Sequence, residues 1–355
     1  MKNNKVLVAM SGGVDSAVCA YLVKEMGMDA EGITMRLWSD GEIICDADCT
    51  DPDKNCADAK RICDRLSIPH RRIALGESFR KCVVDRFISD YIEGYTPNPC
   101  VECNKCIKFG ALIEKAVAEG FDFLATGHYA RIESADGEYV IKKAADEKKD
   151  QTYFLWSIKK EYLSHILFPL GAMTKDEIRA IARENEFENA ERSDSQDICF
   201  IENGDYASFI QKETKKIFPK GNFISTDGKI LGEHTGIINY TVGQRKGLGI
   251  ALGKPIFVAS KDAKSNTVTL CDNEELFSCS LTAHSVNLLT NVDLSAPVRL
   301  TAKIRYRHTP STVTAQILPD GRLQVNFDEP QRAITPGQSV VLYDGDVLVG
   351  GGIIE

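Results

Sequence analysis

Over the first two hundred positions, short unbroken apolar runs alternate with stretches whose apolar residues fall at helical spacing. Lys5–Met10 (KVLVAM) ends in Ser-Gly-Gly, which predicts a buried strand entering a turn. Between Ser16 and Met26, residues Val18, Cys19, Leu22, Val23 and Met26 recur at helical spacing before Gly27, predicting a helix stopped by glycine. Ala30–Leu37 predicts a second strand and Ala57–Leu66 a second helix. Helix Phe109–Ala118 then precedes another buried strand, Phe121–Thr126. Thr174–Glu184 carries a capping box, Thr174 with Glu177. Strands alternating with helices imply α/β architecture, a parallel sheet covered on both faces.

After Ile201 the texture changes. Lysine clusters, Pro219 and the turn pairs Lys220-Gly221 and Asp227-Gly228 separate short β-branched runs. From Ala283 onward, period-two runs at Val298–Ile304, Val313–Leu318, Leu323–Phe327 and Ser339–Leu342 predict a small β-barrel or sandwich. These shifts divide the chain into residues 1–201, a small central unit at 202–280 and a β unit at 281–355, in keeping with 355 residues at about 150 per domain.

Hydrophobic residues make up 43% and charged residues 26%, which excludes a disordered or fibrous chain. No apolar run reaches the roughly 18 residues of a membrane span, and Val6–Met10 is too short for the core of a secretory signal. The expectation is a cytoplasmic protein with no membrane contact. A net charge of 43 − 51 = −8 excludes a general nucleic-acid sponge, so any RNA must meet local basic patches. Twelve cysteines suggest reduced thiols, and only Cys271 and Cys279 follow residue 199.

Ser11-Gly12-Gly13-Val14-Asp15-Ser16 sits between a predicted strand and a predicted helix. Glycines allow backbone amides to approach an anion, Ser11 and Ser16 add hydroxyls, and the helix N-terminus adds partial positive charge. The spacing is neither the Walker pattern nor G-x-G-x-x-G. Asp15 suits pyrophosphate only if Mg²⁺ bridges it. A plain capped strand-to-helix turn would not need all of these together. The hexapeptide resembles the signature of the PP-loop ATP pyrophosphatases (adenine nucleotide alpha-hydrolase-like), which implies ATP as the nucleotide.

Thr96–Phe109 (TPNPCVECNKCIKF) reads as a polar, proline-bounded loop with Cys100, Cys103 and Cys106, and Lys105 and Lys108 beside them. Cys199 lies far away in SDSQDICF. Exposed thiols near positive charge are reactive, and two of them over a nucleotide could relay sulfur and end as a disulfide. An iron–sulfur cluster on Cys100, Cys103, Cys106 and Cys199 is an alternative. Zinc lacks a second C-x-x-C pair, and the reading as inert buried thiols better suits Cys19, Cys63 and Cys82. Cys45, Cys49 and Cys56 are read as part of an acidic loop, with no role.

Taken together, the whole chain resembles the bacterial-type tRNA-specific 2-thiouridylases. The matching segments are Ala9–Ser16, Thr96–Phe109, Ala125–Arg131 (ATGHYAR), Lys149–Leu155 (KDQTYFL), Phe168–Gly171, Ser195–Ile201 (SQDICFI), Thr241–Ile250 and Pro336–Ile354. The resemblance implies ATP-dependent replacement of the C2 oxygen of the wobble uridine by sulfur. Ala9, Met10, Ser11, Gly12, Gly13, Val14, Asp15 and Ser16 would cradle ATP, with Met35 and Gly127 near the adenosine. Cys103 would be the nucleophile and Cys199 the persulfide carrier, closing a transient Cys103–Cys199 disulfide. Asn98, Pro99 and Cys100 would face the base, and Lys149, Asp150 and Gln151 would touch tRNA. His128, Arg305, Tyr306 and Gln338 would add tRNA contacts. A persulfide donor, either a cysteine desulfurase or a sulfur-relay protein, is implied as partner. Many members have Asp where this chain has Cys100.

Local basic patches fit that reading. Period-two alternation in Lys303–Arg307 (KIRYR) would put Lys303, Arg305 and Arg307 on one strand face. Gln244-Arg245-Lys246 lies in the glycine-rich run Gly243–Gly249. Two rivals remain: amidation of a small molecule, which needs no thiol relay, and a non-catalytic RNA binder, which needs neither Asp15 nor Ser16.

Overall fold

The structure, a computed structural model, describes residues 4–39, 42–43, 54–135, 137–192, 198–201 and 204–355. Cys45, Cys49 and the Ser195–Asp197 part of the SQDICFI motif lie outside the described residues. The first unit contains strands β1 (Lys5–Ala9), β2 (Asp29–Arg36), β3 (His70–Ala74), β4 (Phe123–Ala125), the hairpin β5 (Arg131–Ala135) and β6 (Glu138–Lys142), and β7 (Ile166–Leu167). Five of them form a parallel sheet in the order β3-β2-β1-β4-β7. Val6, Leu7 and Val8 of β1 have no exposed surface, as a central parallel strand covered on both faces requires.

Helices α1 (Val14–Glu25) and α2 (Lys54–Arg65) pack on this sheet. Cys56 is therefore not in an acidic loop; it is a buried residue of α2, which begins before Ala57. Next, α3 (Gly76–Phe79), a π-helical segment Arg80–Val84 and α4 (Asp85–Ile92) run on as one helix. The polar segment predicted as a loop is also helical. Asn98 caps α5 (Pro99–Glu102) by accepting a hydrogen bond from the Cys100 amide at 3.2 Å, and Pro99 fills the first helical position. The helix continues through π-helical Cys103–Leu112 into α6 (Ile113–Ala118). Local polarity masked this helix because its start is set by a cap and a proline, not by an apolar stripe. Helix α7 (Lys175–Glu184) carries the predicted Thr174–Glu177 capping box.

Beyond α8 (Tyr206–Thr214), strands β8 (Gly221–Ser225), β9 (Ile230–His234), β10 (Phe257–Asp262) and β11 (Thr267–Cys271) form a four-stranded sheet in the order β9-β8-β11-β10. The last unit is a closed barrel of β12 (Phe277–Leu288), β13 (Val298–Lys303), β14 (Ser311–Ile317), β15 (Leu323–Arg332), β16 (Ser339–Asp344) and β17 (Val347–Ile354). Its order is β12-β15-β14-β13-β16-β17, and β17 pairs back on β12. The basic run KIRYR is not one strand: β13 ends at Lys303 and the chain turns through Arg305–Arg307, so the three cations do not share a strand face.

Both smaller units share cores with the first. The β5–β6 hairpin extends the barrel sheet through Lys142 and Val347. Trp156 and Tyr153 reach into the barrel wall, where Trp156 Nε1 donates to Ser339 Oγ and Tyr153 Oη to the Ser339 carbonyl, each at 3.0 Å. A Cβ on Gly351 would lie 3.1 Å from the Trp156 ring, so glycine there lets the indole seat. Trp156→Ala should cost about 3–5 kcal/mol and loosen the barrel from the sheet unit. Urea unfolding followed by limited proteolysis checks this: an early barrel-release step supports the joint, and a single unchanged transition contradicts it.

Candidate active site at the carboxyl edge of the sheet

The chain crosses from one side of β1 to the other between β3 and β4, so the strand ends splay around β1. That is where an open α/β sheet binds ligands. Three sequence-predicted segments meet there: Ala9–Ser16 after β1, Met35 near the end of β2, and Gly127 just beyond β4. The Met10 amide donates to the Ile33 carbonyl at 2.8 Å, which carries the pairing to the last residue before the turn. Gly12 has φ +75°, and a Cβ there would stand 2.5 Å from the Asn55 carbonyl oxygen, so both conformation and space demand glycine. Ser16 Oγ accepts from the Ser11 amide at 3.2 Å and donates to the Gly13 carbonyl at 2.9 Å. Gly13 occupies the N-cap with no side chain to satisfy the first amides of α1, which leaves them as anion donors.

The electrostatic knot of this turn is one the sequence does not reveal. Asp15 Oδ1 accepts from Tyr129 Oη at 2.8 Å and from Lys175 Nζ at 2.7 Å. Lys175 is buried and its ammonium lies 5.7 Å from the centre of the Tyr129 ring. Gly127 makes this approach possible, because a Cβ there would lie 2.9 Å from the Asp15 carbonyl carbon. On the other side, Asn189 Nδ2 donates to the Gly12 carbonyl at 3.0 Å and Arg192 reaches the same oxygen at 3.5 Å. Lys175 follows the capping Thr174 at the first helical position, a place sequence reading assigns to helix initiation. Only the fold shows that its side chain meets Asp15, 160 residues earlier.

For Mg²⁺, no group of three or more His, Cys, Asp or Glu stands close enough to hold a metal ion among the described residues. Mg²⁺ commonly takes only one or two protein carboxylates and fills its shell with substrate phosphates and water. Asp15, whose side chain is 31% exposed at the glycine turn, fits that limited part. The cysteines do not gather as the ligands of an iron–sulfur cluster. Among the described residues no group of three or more His, Cys, Asp or Glu is placed to hold a metal, so the alternative set of Cys100, Cys103, Cys106 and Cys199 is not assembled as cluster ligands.

Cys103 and Cys199 do come into each other's electrostatic reach, although both are free thiols. Cys103 begins the π-helical segment; Cys199 lies in a turn closed by the Ile201 amide on the Ile198 carbonyl at 3.0 Å. Phe200 anchors that turn, its ring 5.5 Å from Phe79, 5.6 Å from Phe87 and 5.3 Å from Phe209. Surrounding protein raises the Cys103 thiol to about 12 and the Cys199 thiol to about 11. Cys100 and Cys199 are exposed by surface area, yet the protein crowding around their sulfurs raises both thiols. The opposing influence shared by Cys100, Cys103 and Cys199 is the Lys108 ammonium. Lys108 Nζ also donates to His128 Nε2 at 3.3 Å, which places the imidazole proton on Nδ1, donated to Thr126 Oγ1 at 2.6 Å. Burial, and then Lys108, hold His128 well below its ordinary range and hence neutral.

The residues expected on the RNA side divide. Lys149 is half-buried and Arg305 exposed, with Arg305 Nη1 on the Arg332 carbonyl at 3.1 Å. The Tyr306 ring packs against Phe154, centroids 4.5 Å apart and tilted by 39°. Asp150 is buried and accepts from the Ala144 amide at 3.0 Å and Thr152 Oγ1 at 2.7 Å. Gln151 accepts from the Tyr129 amide at 3.0 Å, and Gln338 Nε2 donates to the Thr96 carbonyl at 2.7 Å. Pro99 is buried, and His128 has both ring nitrogens engaged. In this geometry the side chains of Asp150, Gln151, Gln338 and His128 are hydrogen-bonded to neighbouring protein groups.

Comparison with known proteins follows the same division. A family model described as a tRNA methyl transferase HUP domain matches residues 4–203. A tRNA methyl transferase PRC-barrel domain matches residues 207–272, and an aminomethyltransferase beta-barrel domain residues 278–354. The tRNA-specific 2-thiouridylase MnmA of Clostridioides difficile is 47% identical over 99% of this chain and 98% of its own length. The proteins of that name from Clostridium acetobutylicum and Acetivibrio thermocellus are 47% and 46% identical, each covered over 100% of its length.

In Lys108→Met, Cys103 and Cys199 lose the cation that opposes burial. At about pH 8 only the small thiolate fraction reacts, so alkylation by iodoacetamide should slow on the order of tenfold per unit of further rise. Time-resolved peptide mass spectrometry reads this directly. Unchanged rates at both cysteines would remove Lys108 from the account.

Proposed function

The chain belongs to the family of tRNA-specific 2-thiouridylases, and from that premise we propose that its carboxyl-edge site activates the C2 oxygen of a wobble uridine with ATP and replaces it with sulfur. As a member it is a tRNA-uridine sulfurtransferase. The observation that carries the finer reading is that Cys103 and Cys199 share the influence of Lys108, whose ammonium meets His128, the neighbour of the Gly127 that packs on Asp15 of the glycine turn.

A pyrimidine C2 carbonyl does not expel its oxygen unaided. The uridine O2 attacks the α-phosphorus of ATP, pyrophosphate departs, and AMP becomes the leaving group. The amides at the start of α1, with Ser11 and Ser16, receive the developing charge on the phosphates. Mg²⁺ held through Asp15 would neutralise the departing pyrophosphate. Tyr129 and Lys175 keep the Asp15 carboxylate aimed at that turn. Gly127, just beyond β4, and Met35, near the end of β2, would flank the adenosine.

Sulfur arrives on Cys199 as a persulfide made by a separate donor. Its terminal sulfur attacks C2, and AMP leaves with the original oxygen. Cys103 then attacks the Sγ of Cys199, breaking the sulfur–sulfur bond and leaving sulfur on C2. The two electrons that bring the delivered sulfur to its final state come from the thiols, which end as a Cys103–Cys199 disulfide. Lys108 lies where it favours the thiolate at each stage. Lys149, Arg305, Tyr306 and the Gln244–Lys246 run provide the polar and cationic surface for the tRNA.

Mass spectrometry of nucleosides from tRNA treated with wild type, Cys103→Ser and Cys199→Ser tests the assignment. Both variants should lose 2-thiouridine by a factor of at least about 10² while retaining ATP binding. Continued sulfur incorporation by Cys199→Ser would overturn the persulfide role.

A further inference from the structure

Arg36 closes β2, and it is a buried cation for which the reaction above gives no use. It is 8% exposed, and its Nε is fully enclosed with no hydrogen-bond partner. No ion pair or side-chain hydrogen bond joins it to another described residue. Arg71 on β3, by contrast, has Glu31 at 2.6 Å and Glu119 beside it. A guanidinium taken out of water without a counter-charge costs stability. Among the described residues, this charge stands without its anion.

The sheet fixes where that charge lies. Ala9 of β1 pairs with Ile33 of β2, and the Met10 amide donates to the Ile33 carbonyl at 2.8 Å. Arg36 is three residues farther, about 10 Å along the strand, level with the glycine turn that continues β1. The Leu75 amide donates to the Arg36 carbonyl at 3.1 Å, so the strand is still paired there and its side chains still alternate. Ala30, Gly32, Thr34 and Arg36 therefore share one face. It is the face of α1 and α2: Ala30 packs in their core, and a Cβ on Gly32 would meet Cys63 Sγ of α2. Met35 points to the other face, into the core against which Cys103 packs.

We propose that Arg36 binds the β- and γ-phosphates of ATP and neutralises the pyrophosphate as it leaves. This inference rests on the adenylation proposed above. There the bond from uridine O2 to the α-phosphorus forms, the bond from that phosphorus to the bridging oxygen breaks, and the bridging oxygen keeps the electron pair. Attacking and leaving oxygens stand roughly in line on opposite sides of the phosphorus. With the base on the side of Cys103, pyrophosphate departs toward the opposite face, where Arg36 ends β2 beside the uncapped amides of α1. The guanidinium stays protonated throughout and offers a planar fork of donors to the phosphate oxygens.

The test compares full-length wild type, Arg36→Met and Arg36→Lys by isothermal titration calorimetry with ATP, AMP and pyrophosphate, each in the presence of Mg²⁺. A thermal melt of each ligand-free protein accompanies it. Arg36→Met should bind ATP and pyrophosphate at least about tenfold more weakly, bind AMP as wild type does, and melt no lower than wild type. Single-turnover thiolation of tRNA should slow about 10²-fold in Arg36→Met, and Arg36→Lys should recover part of both losses. Unchanged ATP and pyrophosphate affinity in Arg36→Met overturns the assignment and leaves adenylation standing. So does an equal loss for all three ligands with a lower melting temperature, or a chain that does not fold, because either result makes Arg36 structural. If wild type thiolates tRNA without releasing one AMP and one pyrophosphate for each 2-thiouridine, adenylation itself fails, and the role of Arg36 fails with it.

Discussion

Three neighbouring strands of a parallel sheet end on the same side, and every other feature of the site is arranged around that constraint. Because β1 lies between β2 and β4, the turns that follow them converge on one place. The glycine turn after β1 can face outward only because Gly12 takes a left-handed conformation against Asn55. The turn after β4 can reach it only because Gly127 has no side chain. Asp15, Tyr129 and Lys175 then tie three distant parts of the chain into one electrostatic unit at the head of α1. The partial positive charge of that helix end is thereby kept for an incoming anion rather than for a capping side chain.

The thiol half of the site obeys a different balance. Protein crowding favours the protonated form of Cys103 and Cys199, and Lys108 opposes it. A protonated thiol is a weak nucleophile, so the resting site holds its reactivity back. The support of the Cys199 turn is apolar: Phe200, wedged among Phe79, Phe87 and Phe209, anchors it. The smaller units complete this frame. The barrel grips the segment before α5, where the Thr96 amide donates to the Pro336 carbonyl at 2.9 Å and Gln338 holds the Thr96 carbonyl.

Much of this was legible in the chain because its cause is local. The buried β1 run, the glycine turn, the Thr174 capping box and the period-two runs of the barrel each arise from neighbouring residues. What escaped was decided elsewhere. Thr96–Phe109 looks polar and proline-bounded, yet Asn98 and Pro99 start a helix there. KIRYR alternates like a strand, but the barrel wall ends at Lys303. Lys175 reads as a helix-initiating residue, and its role rests on a contact across 160 positions. His128 and Asp150, expected on the RNA side, also make internal hydrogen bonds that no local pattern announces.

The central claim is that the nucleotide turn and the thiols act on one atom, the C2 oxygen of the target base. It is tested most directly with tRNA carrying ¹⁸O at C2 of the wobble uridine, by following the label through one round of thiolation. The account predicts that the heavy oxygen appears in the phosphate group of AMP, with one labelled AMP for each 2-thiouridine formed. Label recovered in water or pyrophosphate, with unlabelled AMP, would contradict it.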